Sequence, residues 1–266
     1  TMSPTITSGG VEHPTVAAAL AAAATCGGTV TLSAGVFRVG TLKVPSGVSL
    51  VGSGPDSILE SDASTLVCVE GAVRVAHLGI RQVGEVTSQA AYALEVRGST
   101  LIERCRLSAS SKAKLAAAVL VRGARASPKL FGCTLYNCGH AGLVLVSGGN
   151  AALERCQISD CHGVGALVLA SSVLHATGCE VRACGEAAVT VCSRGSASLS
   201  TCTLAANSPT NATSSVSVKG GGKFSMSRGC IVDAHGYGVQ LAEGSVGLLE
   251  DVNIMRSSKA GVLAKA

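Results

Sequence analysis

The feature that most limits how this chain can fold is a repeat. An anchor residue returns every 22 to 28 positions as Leu78, Cys105, Cys133, Cys156, Cys179, Cys202, Cys230 and Val252. Two residues after each anchor stands an aliphatic: Ile80, Leu107, Leu135, Ile158, Val181, Leu204, Val232 and Ile254. Three residues before it stand Val75, Ile102, Leu130, Leu153, Ala176, Leu199, Ser227 and Leu249, and the polar exception has Met226 beside it. Further along comes an alternating pair: Leu94/Val96, Val119/Val121, Leu143/Leu145, Leu167/Leu169, Val189/Val191, Val216/Val218, Val239/Leu241 and Val262/Ala264. Alternation with a period of two is a strand signature.

Each repeat therefore holds about three short strands separated by Gly, Ser or Asn turns. Strands this short pair with the same strand of the next repeat, which winds three parallel sheets into a coil. Inward residues then stack on their equivalents about 4.8 Å apart. The expected fold class is all-β: a single-stranded right-handed parallel β-helix, a solenoid with a short N-terminal capping helix. Composition agrees. Hydrophobic residues make up 47%, yet there are only three Phe, three Tyr and no Trp, as a narrow core of stacked small aliphatics requires. At 14%, charged residues are too few for a disordered chain.

The first quarter, VEHPTVAAALAAAATCGGTVTLSAGVFRVG, places a helix start at Pro14 or Thr15 and a stop at CGG. This opening, with its GGTV-L-AG-F run, resembles the pectin-lyase-like superfamily, in which a short helix caps the coil. The later repeats resemble that superfamily's pattern C-x-I-x-x-C-x-x-x-G-(V/L)-x-(V/L). The expected organisation is a capping segment over residues 1–25 and a β-helix over 26–266, with regular coils from about residue 73. The last inward positions, Val262 and Ala264, fall just before Ala266 with no capping helix after them. Because solenoid ends need caps, the sequence is expected to be a fragment of a longer chain.

Twelve cysteines invite a metal or redox reading, since Cys133/Cys138, Cys156/Cys161 and Cys179/Cys184 repeat one spacing. Stacked on successive coils, however, they form a line, whereas zinc wants four ligands converging on a tetrahedron. The spacing is not that of a C-x-x-C redox motif. Cys also interchanges with Leu and Val at the anchor, so the expectation is a thiol core with no metal and no cofactor. The second cysteine of each pair falls at a bend where the aligned residues are Val83, Ser110, Asn207, His235 and Ser257, small or polar groups able to bond the next coil's backbone. No secretory signal is read: the apolar run from Val16 to Ala24 follows Glu12 and His13 without a Lys or Arg. Reduced thiols then place the protein in the cytoplasm or nucleus. No run is long enough to span a membrane. A net charge of +5 is too small for a nucleic-acid surface.

Enzymes of this superfamily that cut acidic polysaccharides use clustered acids. Here the nearest approach is Glu103 and Glu154, at one repeat position two coils apart, roughly 9.6 Å by strand spacing. Inverting glycosidases hold their two acids ~6.5–9.5 Å apart. The run DAHG, Asp233 to Gly236, resembles the Asp-Pro-His-Asp motif of alginate epimerases without its Pro and second Asp. Of the aromatics, only Phe131 and Tyr136 share a coil.

Three coils carry extra residues at one corner, Gly84–Ala93, Ser111–Ala118 and Ser208–Ser215, where insertions in a solenoid build a binding face. Asn211 there begins a glycosylation sequon. Arg81 with Arg182, Arg104 with Arg155, and Arg106, together with Tyr136, His140 and His162, are the expected partner-binding residues. The leading functional expectation is a non-catalytic recognition or scaffold module binding a protein or peptide partner. It resembles the β-helix domains of eukaryotic F-box-type adaptors. The alternatives are a carbohydrate-active enzyme (polysaccharide lyase, hydrolase or epimerase) using Glu103 and Glu154, and a structural spacer assembling end to end.

Overall fold

The computed structural model describes residues 4–25, 27–84, 89–111, 113–208 and 214–265. The chain coils through three parallel sheets, here A, B and C in the order each coil visits them. Sheet A has twelve strands, and sheets B and C have ten each. One coil illustrates the rest: Asn150–Glu154 lies in sheet A, Gln157–Ser159 in sheet B and Ala166–Val168 in sheet C. Each strand is in register with its counterparts on the neighbouring coils, as in Leu135↔Ile158↔Val181 of sheet B. The parallel ladder runs from Thr29–Leu32 to Val262–Ala264.

The start of the solenoid is closed by the helix Val16–Ala24. Thr15 caps it, its Oγ1 accepting from the Ala18 amide at 3.1 Å. Val16, Ala19, Leu20 and Ala23 recur at helical spacing and are its buried residues. Ile6–Ser8 adds an antiparallel strand to Thr29–Leu32, and Val11–Glu12 extends it outward.

The coil is a narrow triangle, so its core is a set of vertical stacks. Leu107, Leu135, Ile158, Val181 and Leu204 form one, each at most 5% exposed. The cysteine anchors form another beside it. At the bend between sheets A and B one residue per coil takes a left-handed conformation: His77, Arg104, Gly132, Arg155, Gly178, Thr201, Arg228 and Asp251, with φ between 50° and 61°. A side chain there is strained, but the ladder continues through the bend. Arg104 N–H donates to the Phe131 carbonyl at 2.8 Å and Arg155 N–H to the Thr177 carbonyl at 3.0 Å.

The phase of two coils differs from the sequence reading. Leu143 and Leu145 pair with Ala166 and Val168, so these point inward and the expected Leu167/Leu169 do not. In Val164–Leu169 both phases are apolar, and alternation cannot choose between them, although a one-residue slip turns every side chain over. On the coil of Cys230 the anchor falls one residue earlier than expected, on Gly229, which stacks against Cys202. Met226 occupies the inward position beside Leu199, Cys230 pairs with Thr203, and Ile231, not Val232, stacks on Leu204. Cys230 thereby leaves the anchor column. The same shift puts Ala234 rather than His235 against Asn207, whose carbonyl accepts from the His235 amide.

Where the extra residues at the B–C corner are described, several of them belong to strands. Ala90–Val96, Leu115–Arg122 and Ser214–Val218 extend sheet C, and Ala91, Ala113 and Ala116 bury one another. Residues 85–88, 112 and 209–213, including the Asn211 sequon, lie outside the described residues.

Candidate functional site

The outer face of sheet A carries two continuous columns of side chains. One runs Glu103, Phe131, Glu154, Thr177, Ser200, Ser227 and Glu250. The other runs Leu101, Lys129, Ala152, His175, Ser198, Ser225 and Leu248. Every member faces out because each is two or four residues before an inward anchor, on strands whose side chains alternate. Between the bulky ends lie smaller residues, which leaves a trough along the coil axis. Its first part, a hollow of about 480 Å³, is lined by Glu103, Lys129, Phe131, Glu154, His175 and Thr177. Its second, about 260 Å³, continues past His175 over Ser198, Ser200, Ser225 and Ser227 to Glu250.

The register places Phe131 directly between the two acids. Glu103 is held by Arg74, whose Nε donates to Oε2 at 2.6 Å. Glu154 is more open, its side chain 57% exposed, and its nearest cation is Arg155 at 3.9 Å. Arg155 also stands over the Phe131 ring, 5.9 Å from its centroid. Arg104 folds across Gly132 and Arg155 across Gly178, since a Cβ on either glycine would meet the arginine Cγ at 3.6 and 3.9 Å. The trough thus offers an aromatic face, two carboxylates, a lysine, an imidazole and a ladder of hydroxyls, with Ser225 Oγ donating to Ser198 Oγ at 2.9 Å. Lys129, His175 and Arg74 were not singled out in the sequence. Their signal is the position four residues before the anchor, in phase with the acids.

The other expected site residues fall on different faces. Arg81, Tyr136 and Arg182 share one outward column of sheet B. Arg106 lies beside them with its guanidinium 5.2 Å from the Tyr136 ring centroid, and Arg182 Nε is 3.6 Å from Glu180. His140 and His162 sit at the bend from sheet B to sheet C, the His140 Nδ1 buried without a hydrogen-bond partner. The structure therefore brings Arg155 over the ring of Phe131 in the trough, leaves Arg104 at the neighbouring A–B bend over Gly132, and separates the rest from the trough. Asp233 of the DAHG run is on the bend after sheet B, where Arg256 binds it at 2.5 and 3.0 Å and holds its carboxyl below the usual range.

Most of the described cysteines lie inside, Cys192 and Cys230 being only partly buried. Cys156, Cys161, Cys179 and Cys184 are at most 4% exposed, and all the described cysteines are free thiols. At the anchor, Cys133 Sγ donates to the Ile102 carbonyl and Cys156 Sγ to the Leu130 carbonyl, both 3.4 Å. Hydrogen bonding within the column, with burial, pushes the Cys133 and Cys156 thiols up to about 12 and Cys179 to about 11.

Similarity to known proteins agrees with this architecture. A family profile described as a right handed beta helix region matches residues 88–251. No curated protein matches the sequence. The mannuronan C-5 epimerase AlgE4 A-module of Azotobacter vinelandii has a similar structure, with a TM-score of 0.59 at 13% identity over 94% of this chain and 92% of that one. Pectate lyase Pel9A gives 0.66 at 10% identity over 92% of this chain and 72% of that one. The Dettilon tailspike protein gives 0.60 at 13% identity over 94% of this chain but only 64% of its own length. These likenesses are of fold. They overturn the expectation of a non-catalytic module holding a protein partner, because the similar structures are those of carbohydrate-active enzymes and a tailspike. The expected likeness to F-box-type adaptors finds no support. With the profile covering more than half of its length, the chain belongs to the family of right handed beta helix proteins.

Proposed function

We propose that this protein is carbohydrate-active and lays an extended glycan lengthwise in the trough on the outer face of sheet A. The observation that carries the reading is the column Glu103–Phe131–Glu154, an aromatic face bracketed by two carboxylates one coil above and one below. A pyranose ring packs its apolar face on Phe131, and a chain running along the axis passes both acids. Glu103, bonded to Arg74 at 2.6 Å, is the acceptor suited to activating a water. Glu154 is left to donate to the leaving oxygen. Their separation, roughly 9.6 Å by strand spacing, leaves room for that water and lies at the upper limit of the ~6.5–9.5 Å usual in inverting hydrolysis, far from the ~5–5.5 Å of retaining enzymes. Lys129 and His175 line the same hollow, so proton abstraction from a sugar carbon is the second reading. The epimerase and lyase folds to which the chain is similar support carbohydrate chemistry as a class.

The test is a panel of neutral glucans, galacturonan and mannuronan. Hydrolysis releases reducing ends, elimination leaves unsaturated ends, and epimerisation changes the sugar signals in NMR spectra. Glu154→Gln should lower turnover by roughly 10²–10⁴-fold, and Phe131→Ala should weaken binding about tenfold with the fold intact. A protein that neither binds nor alters any member of the panel would sink the proposal.

A further inference from the structure

Cys138, Cys161 and Cys184 stand on three successive coils at the bend that follows sheet B. They are 0%, 2% and 0% exposed. The main chain holds them in register: His162 N–H donates to the Cys138 carbonyl at 2.9 Å and Gly185 N–H to the Cys161 carbonyl at 2.8 Å. Cys161 thus stands between Cys138 on one neighbouring coil and Cys184 on the other. Among the described residues no three His, Cys, Asp or Glu side chains converge as a tetrahedral metal needs. Two neighbours in such a stack do satisfy another geometry. Metal–thiolate bonds are about 2.3 Å, so a linear S–M–S unit spans about 4.6 Å, close to the ~4.8 Å between coils.

We propose that the Cys138–Cys161–Cys184 stack is a buried site for a soft cation that takes two thiolates in a line. Binding replaces two metal–water bonds by two metal–sulfur bonds and releases the two thiol protons to solvent, with no change of oxidation state. Charge selects the cation. Two thiolates on a divalent ion such as Hg²⁺ make a neutral unit, whereas a monovalent ion leaves a net charge in the core, at a cost. Thiolate ligands exclude hard cations. The longer column, Cys105 to Cys202, is less suited. There Cys105, Cys133, Cys156 and Cys202 each give their proton to a carbonyl of the preceding coil, at 3.4–3.6 Å, and a thiolate would face that oxygen. The Cys138, Cys161 and Cys184 thiols instead donate to carbonyls of their own coil, two residues before each, at 3.4–3.6 Å, and not to one on the neighbouring coil. Room beside them comes from Gly142 and Gly165, where a Cβ would press on the Cys161 and Cys184 sulfurs at 3.4 and 3.3 Å.

The experiment loads the intact chain with Hg²⁺ and, separately, Zn²⁺, then measures retained metal and its sulfur coordination number by X-ray absorption. The variants supply the internal control. Cys161→Ala leaves the two outer sulfurs two coils apart, too far to share an ion, and should lose one two-sulfur mercury per chain. Cys138→Ala and Cys184→Ala each leave an adjacent pair and should lose none. Melting temperature should rise on loading in the wild type and in these outer variants, but less in Cys161→Ala. Equal loss in all three variants, mercury held by one sulfur each, unfolding on loading, or zinc retained as well as mercury would each overturn the site.

Discussion

Replacing Asn207 by Ala tests how the solenoid manages polarity inside its core. Asn207 is fully buried and follows Cys138, Cys161 and Cys184 down one column. Its Oδ1 accepts from the Cys184 amide at 3.1 Å, and its Nδ2 donates to the Val181 carbonyl at 3.0 Å. Alanine removes both partners. A buried group left unpaired costs about 1–3 kcal/mol, and a carbonyl with a second lone pair sits at the low end. The expected destabilisation is about 3 kcal/mol, more than a hundredfold in the folding equilibrium. Cysteine is the residue this column itself uses on three coils, and its sulfur is a weak acceptor. Asn207→Cys should therefore cost roughly half as much as Ala by the same hydrogen-bond accounting. Urea unfolding of the three proteins, with hydrogen exchange at the Cys184 amide as the local probe, separates loss of the bond from loss of the whole array. This matters because long repeats need not unfold in one step. A change below about 0.5 kcal/mol for Asn207→Ala, with Cys184 protection unaltered, would refute the reasoning.

Ile158→Ala, between Leu135 and Val181, should cost roughly 2–5 kcal/mol, whereas Leu167→Ala, on the outer face of sheet C, should cost about 1 kcal/mol or less. Calorimetric or urea stabilities in the reverse order would show that the inward phase of that coil is the other one. Alkaline pH supplies another check. The Cys133 and Cys156 thiols, pushed up to about 12, stay protonated in the folded chain after their unfolded counterparts ionise near 9. A raised pKa means stability that is complete below the unfolded value and falls as pH climbs toward the folded one. Between these limits each such thiol should remove about 1.4 kcal/mol per pH unit. Cys156→Ala should flatten the slope of urea stability against pH, and an unchanged slope would exclude that thiol as a contributor.

The parts of this fold that were legible are those repeated most often. Leu107, Leu135, Ile158 and Val181 recur at one offset because a stack rejects any misfit on the coils above and below, so the periodic signal is redundant. The slips came where redundancy failed. Val164–Leu169 is apolar in both phases, and on the coil of Cys230 the anchor is a glycine, Gly229, so the sequence pattern points to the cysteine one residue later, and to Ser227 in place of Met226. The corner insertions looked like loops by length, but their alanines can bury against one another and join sheet C.

Outward residues carry no such redundancy. Glu103 and Glu154 are legible as a pair because they share one repeat position. That Phe131 completes their column was implicit in the same count, while Lys129 and His175 sat one step away in an unread column. The Arg74 contact with Glu103 is invisible in sequence, since the two residues are 29 apart and meet only through coil stacking. By itself the sequence determined a solenoid of stacked aliphatic and cysteine columns, because burial imposes the same choice on every coil. Only the tertiary structure decided which exposed side chains share a surface. Solvent imposes no period on them, and it is the register of coil upon coil that lines Glu103, Phe131, Glu154 and His175 along one trough and turns Tyr136, His140 and His162 away from it.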